Sequence, residues 1–140
     1  MAGAANGGVW RTVDAGASWN ARWFGQMSMA VGAIAFAPGS PNRVSAATGE
    51  NTPGWGPSYG GVGVYRSNTS GTSWALCEPG PGARCTTVLV HPTLADTVYV
   101  ASENGLWMST TGGLGAGAWT RKRRGHITDA LPDPSAPATL

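Results

Sequence analysis

The stretch Gly8-Val9-Trp10-Arg11-Thr12-Val13-Asp14-Ala15-Gly16-Ala17-Ser18-Trp19 decides the fold, because the chain repeats it. A second copy runs Gly63-Val64-Tyr65-Arg66-Ser67-Asn68-Thr69-Ser70-Gly71-Thr72-Ser73-Trp74. A looser third runs from Gly105-Leu106-Trp107-Met108-Ser109 through Thr111 and Gly113 to Trp119. Each copy predicts a β-hairpin: a small-apolar-aromatic strand, a polar reversal, then a Ser-Trp or Ala-Trp ending. Asp14 can accept N–H groups of its own turn, as Asx turns do. Gly16 supplies the positive φ that a tight reversal needs. Trp19 is expected to lie over the hairpin with its indole N–H on a carbonyl.

The segments between the copies repeat too. Val31-Gly32-Ala33-Ile34-Ala35-Phe36-Ala37-Pro38 is matched by Cys85-Thr86-Thr87-Val88-Leu89-Val90-His91-Pro92, and again by Ile127-Thr128-Asp129-Ala130-Leu131-Pro132-Asp133-Pro134. A polar turn and a further strand follow the first two prolines, at Arg43–Ala47 and Thr97–Ala101. One unit is therefore four strands, the hairpin phrase joining the third to the fourth. Units of this kind, recurring at about 40 residues, point to the blades of an all-β propeller. Ser67 to Ser109 is a compact 42-residue step, whereas Thr12 to Ser67 is 55, the excess lying in Gly49 to Gly61.

The Ser/Thr-x-Asp-x-Gly-x-Ser/Thr-Trp phrase resembles the Asp-box, or BNR repeat, of sialidase-like, sortilin-like and xyloglucanase-like propellers. The first copy is complete; the second has Thr69 in place of Asp, and the third has Thr111 and an insertion before Trp119, so that turn must be rebuilt. The resemblance implies that Thr12, Asp14, Gly16, Trp19, Ser67, Gly71, Trp74 and Trp119 maintain the fold. It places any ligand on the face opposite these turns.

Followed off both ends, the repeat predicts a partial unit over 1–30, one over about 31–84 and one over about 85–125. Thr139-Leu140 followed by Met1-Ala2-Gly3 aligns without a gap onto Thr97-Val98-Tyr99-Val100-Ala101. Residues 126–140 of a second chain are thus expected to complete the first unit. Two chains joined head to tail would make a six-bladed ring, although a fragment of a longer propeller protein would show the same pattern.

Among 140 residues there are 22 Gly and 10 Pro and only 11% charged, a composition of short strands and tight turns. No apolar run reaches the length of a membrane helix, and a formal charge of +2 suggests no polyanion, so neither membrane nor nucleic acid is an expected partner. The Arg121-Lys122-Arg123-Arg124 run lacks interleaved aromatics and is expected to be solvated surface. The first residues lack the pattern of a signal peptide, and the compartment is open; the parent of such a chain could be secreted or periplasmic.

Candidate ligand-binding residues are Trp55 and Tyr59, stacking platforms for a sugar ring in the long Gly/Pro-rich loop, with Arg84 and His126 at the mouth of the inner strands. Glu50 and Asp129 are the carboxylates to inspect for acid–base work, which needs two at a fixed separation. Cys77 and Cys85 could close a small disulfide loop or remain thiols, and no spacing fits a metal or cofactor. The leading expectation is a self-assembling, non-catalytic module that binds glycan or protein; the alternative is a fragment or relative of a glycoside hydrolase or sialidase-type propeller enzyme.

Overall fold

The computed structural model describes residues 1–50, 59–133 and 136, and every regular element among them is a β-strand. The strands form three antiparallel sheets in chain order. The first holds β1 (Ala2–Ala4), β2 (Gly8–Arg11) and β3 (Asn20–Ala21). The second holds β4 (Val31–Ala37), β5 (Ser40–Thr48), β6 (Val64–Ser67) and β7 (Ala75–Leu76). The third holds β8 (Cys85–Val90), β9 (Val98–Ser102), β10 (Gly105–Ser109) and β11 (Thr120–Arg123). Each four-stranded sheet is a meander of consecutive neighbours.

The repeat seen in the sequence is also a repeat of register. Arg11 pairs with Asn20, Arg66 with Ala75 and Met108 with Thr120. One step back, Trp10 pairs with Ala21, Tyr65 with Leu76 and Trp107 with Arg121. Positions in the three sheets therefore correspond one to one.

Each hairpin turn is built on one hydroxyl. Ser67 Oγ accepts the N–H groups of Thr69 (3.1 Å) and Gly71 (2.9 Å), and Ser109 Oγ those of Thr111 (3.1 Å) and Gly113 (2.8 Å). Thr12 Oγ1 does the same for Asp14 and Gly16 (3.3 and 2.8 Å). The glycine takes positive φ in all three turns, at 99°, 80° and 81° for Gly16, Gly71 and Gly113. The residue before it is left-handed as well: Ala15, Ser70 and Gly112. The second half of the turn is where the copies diverge. Asp14 accepts from Ser18 N and Ser18 Oγ, and Thr69 Oγ1 takes over with Ser73 N (2.9 Å) and Ser73 Oγ (2.8 Å). Thr111 instead donates to the Leu114 carbonyl (2.8 Å), where the inserted residues begin.

The apolar core lies between sheets. Val9 and Trp23 of the first unit meet Val31, Ala46 and Tyr65 of the second, with Met1, Ile34 and Trp74 around them. Trp23 stands edge-on to both Tyr65 (centroids 5.0 Å apart) and Trp74 (4.9 Å), the arrangement aromatic quadrupoles favour. The next junction joins Ala47, Val64 and Cys77 to Cys85, Val88, Val98, Val100 and Trp119. In β9 this follows from alternation, since Val98 and Val100 face the core and Tyr99 lies half-buried on the opposite face.

One expectation is corrected. Trp19 does not lie over the glycine of its own turn: it is 45% exposed and nothing lies within 4 Å of a Cβ placed on Gly16. Its counterpart Trp74 does reach its own turn glycine, Gly71, and its indole also donates to the Arg22 carbonyl of the preceding unit at 2.6 Å. Of the two states left open for Cys77 and Cys85, the free thiols are the one found. Both are buried free thiols in the second junction, their Sγ atoms turned to different carbonyls, Gly112 O and Gly82 O. The segment Ile127 to Asp133, expected to complete the first unit of a second chain, has no strand partner among the described residues. It is held against the third sheet by Ile127 N on Ser102 O (3.0 Å) and Thr86 Oγ1 on Ile127 O (3.0 Å).

Candidate functional site

The inner strands β4 and β8 border a cleft of about 350 Å³ lined by Ala5, Val31, Gly32, Glu50, Cys85, Thr86 and Thr128. Its shape follows from small residues. A Cβ on Gly61 would run into the Thr48–Gly49 backbone, so the chain on either side of Glu50 can close up. The Thr48 hydroxyl accepts the N–H groups of Val62 (2.8 Å) and Gly63 (3.1 Å) and fixes the return of the long loop. Glu50 N donates to Tyr59 O (2.8 Å), so the loop ends at the cleft with Tyr59 43% exposed. Glu50 is the carboxylate among the lining residues, with the Thr86 and Thr128 hydroxyl groups alongside. Carboxylate and hydroxyl groups on a half-open wall suit the hydroxyl-rich edge of a saccharide.

Asp129 lies beside this wall and is exposed, but its Oδ1 already accepts from Thr87 Oγ1 (2.9 Å) and Ala130 N (2.8 Å). That geometry makes Asp129 an anchor of its segment on β8. Arg84 forms a 3.2 Å ion pair with Glu103 across the neck of the third sheet. His126 is exposed at the start of the anchored segment. Trp55 lies outside the described residues. No three His, Cys, Asp or Glu side chains among the described residues are placed to hold a metal ion.

The residues of the repeated phrase stand elsewhere, at the turns and at the junctions between sheets. Asp14 is pulled from an ordinary 3.8 to about 2, first by the Ser18 hydroxyl and amide and then by Thr12, all of which donate to the ionised form. Its charge is used inside the turn. Trp23, Thr86 and Thr128 escaped the sequence reading. So did the buried Arg66, whose guanidinium bonds Thr111 O (3.1 Å) in the next unit and pairs with Asp96 (3.1 Å), itself paired with Arg43 (2.9 Å). A signal for Arg66 was present, because Arg11 holds the same place in the phrase and donates to Ser70 O (3.1 Å) of the next unit.

Three meandering sheets packed face to face in series, with a cleft along their inner strands, define an all-β repeat protein of propeller type. The chain is similar to a xyloglucanase of Hypocrea jecorina (strain QM6a), 33% identical over 116 residues that make up 75% of this chain and 13% of that protein. It is also similar to a solved structure described as an ancestral GH74 enzyme, with a TM-score of 0.50 and 30% identity over 76% of this chain and 14% of the other. Sequence and fold thus both relate it to the propeller glycoside hydrolases of that class. The chain spans about one-seventh of the length of these relatives. No family model matches it.

Proposed function

We propose that this chain is a relative, or a portion, of a xyloglucanase-like propeller enzyme, in which its three sheets are Asp-box blades and its inner face forms one wall of a polysaccharide cleft. The observation that carries this reading is the joint likeness to a xyloglucanase and to a GH74 structure over three-quarters of the chain. The cleft beside Glu50, Thr86 and Thr128 supports it, since it lies along the inner strands and away from the hairpin turns. Glycosidic hydrolysis needs a general acid and a partner carboxylate. Here Glu50 would be one, and the other would come from blades beyond those described.

One observation favours the chain acting alone as a non-catalytic glycan-binding module: Glu50 has no second carboxylate beside it among the described residues that line the cleft. Affinity electrophoresis in xyloglucan gels, with reducing-end release measured in parallel, separates the two. The proposal predicts retardation by xyloglucan and not by dextran, weakened about tenfold by Glu50→Gln, the equivalent of one charge-assisted hydrogen bond. Turnover by the chain alone would remove the requirement for a second carboxylate from outside. Indifference to xyloglucan would overturn the reading.

A further inference from the structure

The second junction carries more positive than negative charge on its hairpin-turn side. Arg66, whose side chain is only 8% exposed, donates from Nη1 to the Thr111 carbonyl and to Asp96 Oδ1, each at 3.1 Å. That guanidinium has room because residue 112 is glycine, where a Cβ would collide with Arg66 Nη1. Arg43 Nη1 takes the same Asp96 oxygen at 2.9 Å. Two cations thus share one carboxylate oxygen, and that carboxylate is itself half-exposed. Arg11 of the first unit reaches the same hairpin turn and donates to Ser70 O. Positive charge is left in surplus there, and a largely buried cation needs compensation.

Beside Arg43, the β4–β5 turn and the second hairpin turn enclose a hollow of about 220 Å³ lined by Ser40, Pro41, Asn42, Arg43 and Asn68. None of the described residues lining it is a carboxylate. The two amides are oriented by what their oxygens accept. Asn68 Oδ1 takes the Arg66 Nε proton at 3.2 Å; a guanidinium nitrogen only donates, so the other end of that amide is the NH2 group. Asn42 Oδ1 takes the Ser70 hydroxyl at 2.8 Å, and Ser70 N donates to Asn42 O at 2.8 Å, which holds the two turns together. Both amides therefore keep their NH2 groups as donors. Arg43 meets Asp96 through Nη1, and its other nitrogens remain donors too. Donors from three side chains beside surplus positive charge are the complement of a tetrahedral oxyanion.

We propose that this hollow binds a phosphate or sulfate group, free or carried on a saccharide, between the Arg43 guanidinium and the amide groups of Asn42 and Asn68. All five lining residues belong to the middle unit, so the site is complete within the chain. It lies with the hairpin turns, away from the cleft beside Glu50, and stands independently of the proposed activity. A bound anion offsets the surplus charge on Arg43 and Arg66 and so braces the second junction, which stabilises the fold by mass action.

Titration of the 15N-labelled chain with sodium sulfate and with sodium phosphate, at an ionic strength held constant with sodium chloride, tests it. Saturable shifts are expected at the side-chain amide resonances of Asn42 and Asn68, with a melting temperature above that of the chloride control. Glucose 6-phosphate and glucose 6-sulfate form a second arm. Binding tighter than that of the inorganic anion assigns the group to a saccharide, and weaker binding assigns it to the free anion. Arg43→Gln is expected to weaken binding about tenfold, the equivalent of one charge-assisted hydrogen bond. Asn68→Asp keeps an acceptor for Arg66 Nε but puts a carboxylate where the NH2 group stood, so it is expected to abolish binding with an unchanged circular dichroism spectrum. A folded wild-type chain without saturable shifts, or binding indifferent to either substitution, would overturn the assignment.

Discussion

Asp14 is solvent-exposed and still holds its proton only below the usual carboxylate range, because a seven-residue turn aims an amide and two hydroxyl groups at it. A carboxyl whose pKa falls on folding stabilises the fold above its ordinary value and loses that contribution as acid is added. The loss should span about pH 4 to 2, and Asp14→Asn should flatten it; acid unfolding followed by fluorescence measures both. The same turn in the second copy uses Thr69 and should show no such dependence. This chemistry was legible in the sequence because every partner lies within a few residues. The cysteines were not. Their spacing is compatible with a bridge, but the direction of each side chain is set by which junction its strand faces, and burial pushes both thiols up to about 12. Both are expected to be silent to Ellman's reagent at pH 8 in the native protein and to react fully in urea.

At the scale of the element, strands were predictable where alternation and β-branched residues coincide, as in Val98–Ser102. They were not predictable where pairing depends on a neighbour. Residues 127–133 carry a strand-like pattern, and yet a strand needs a partner beside it. Trp23 illustrates the same limit. It lies outside the repeated phrase, and its importance comes from two rings, Tyr65 and Trp74, that belong to the next unit. Its indole also donates to Ser28 O at 2.6 Å, which bends the loop back before β4. Trp23→Ala should cost about 3–5 kcal/mol, read from urea unfolding, as expected for a buried indole. Trp19→Ala should change the stability of a single chain by much less, since that ring is 45% exposed.

At the scale of the whole molecule, the repeat period disclosed the serial arrangement of sheets, and the structure added how they are joined. An aromatic pair faces one way, and small apolar residues with an arginine face the other. The Arg66–Asp96–Arg43 cluster ties the second junction on its turn side, leaving the inner strands to form the cleft. Little of that cleft could be read from the sequence. Glu50 was a candidate, but Thr86 and Thr128 meet it only because strands far apart in the chain converge on one wall. The likeness to a xyloglucanase gives that wall its proposed ligand. Titration of the 15N-labelled chain with a xyloglucan oligosaccharide, followed by amide chemical shifts, tests the account most directly. Shifts centred on Glu50, Thr86 and Thr128, with the hairpin turns at Asp14, Thr69 and Thr111 unmoved, are the predicted result. Saturable shifts at those turns instead, or none at all with the protein folded, would contradict it.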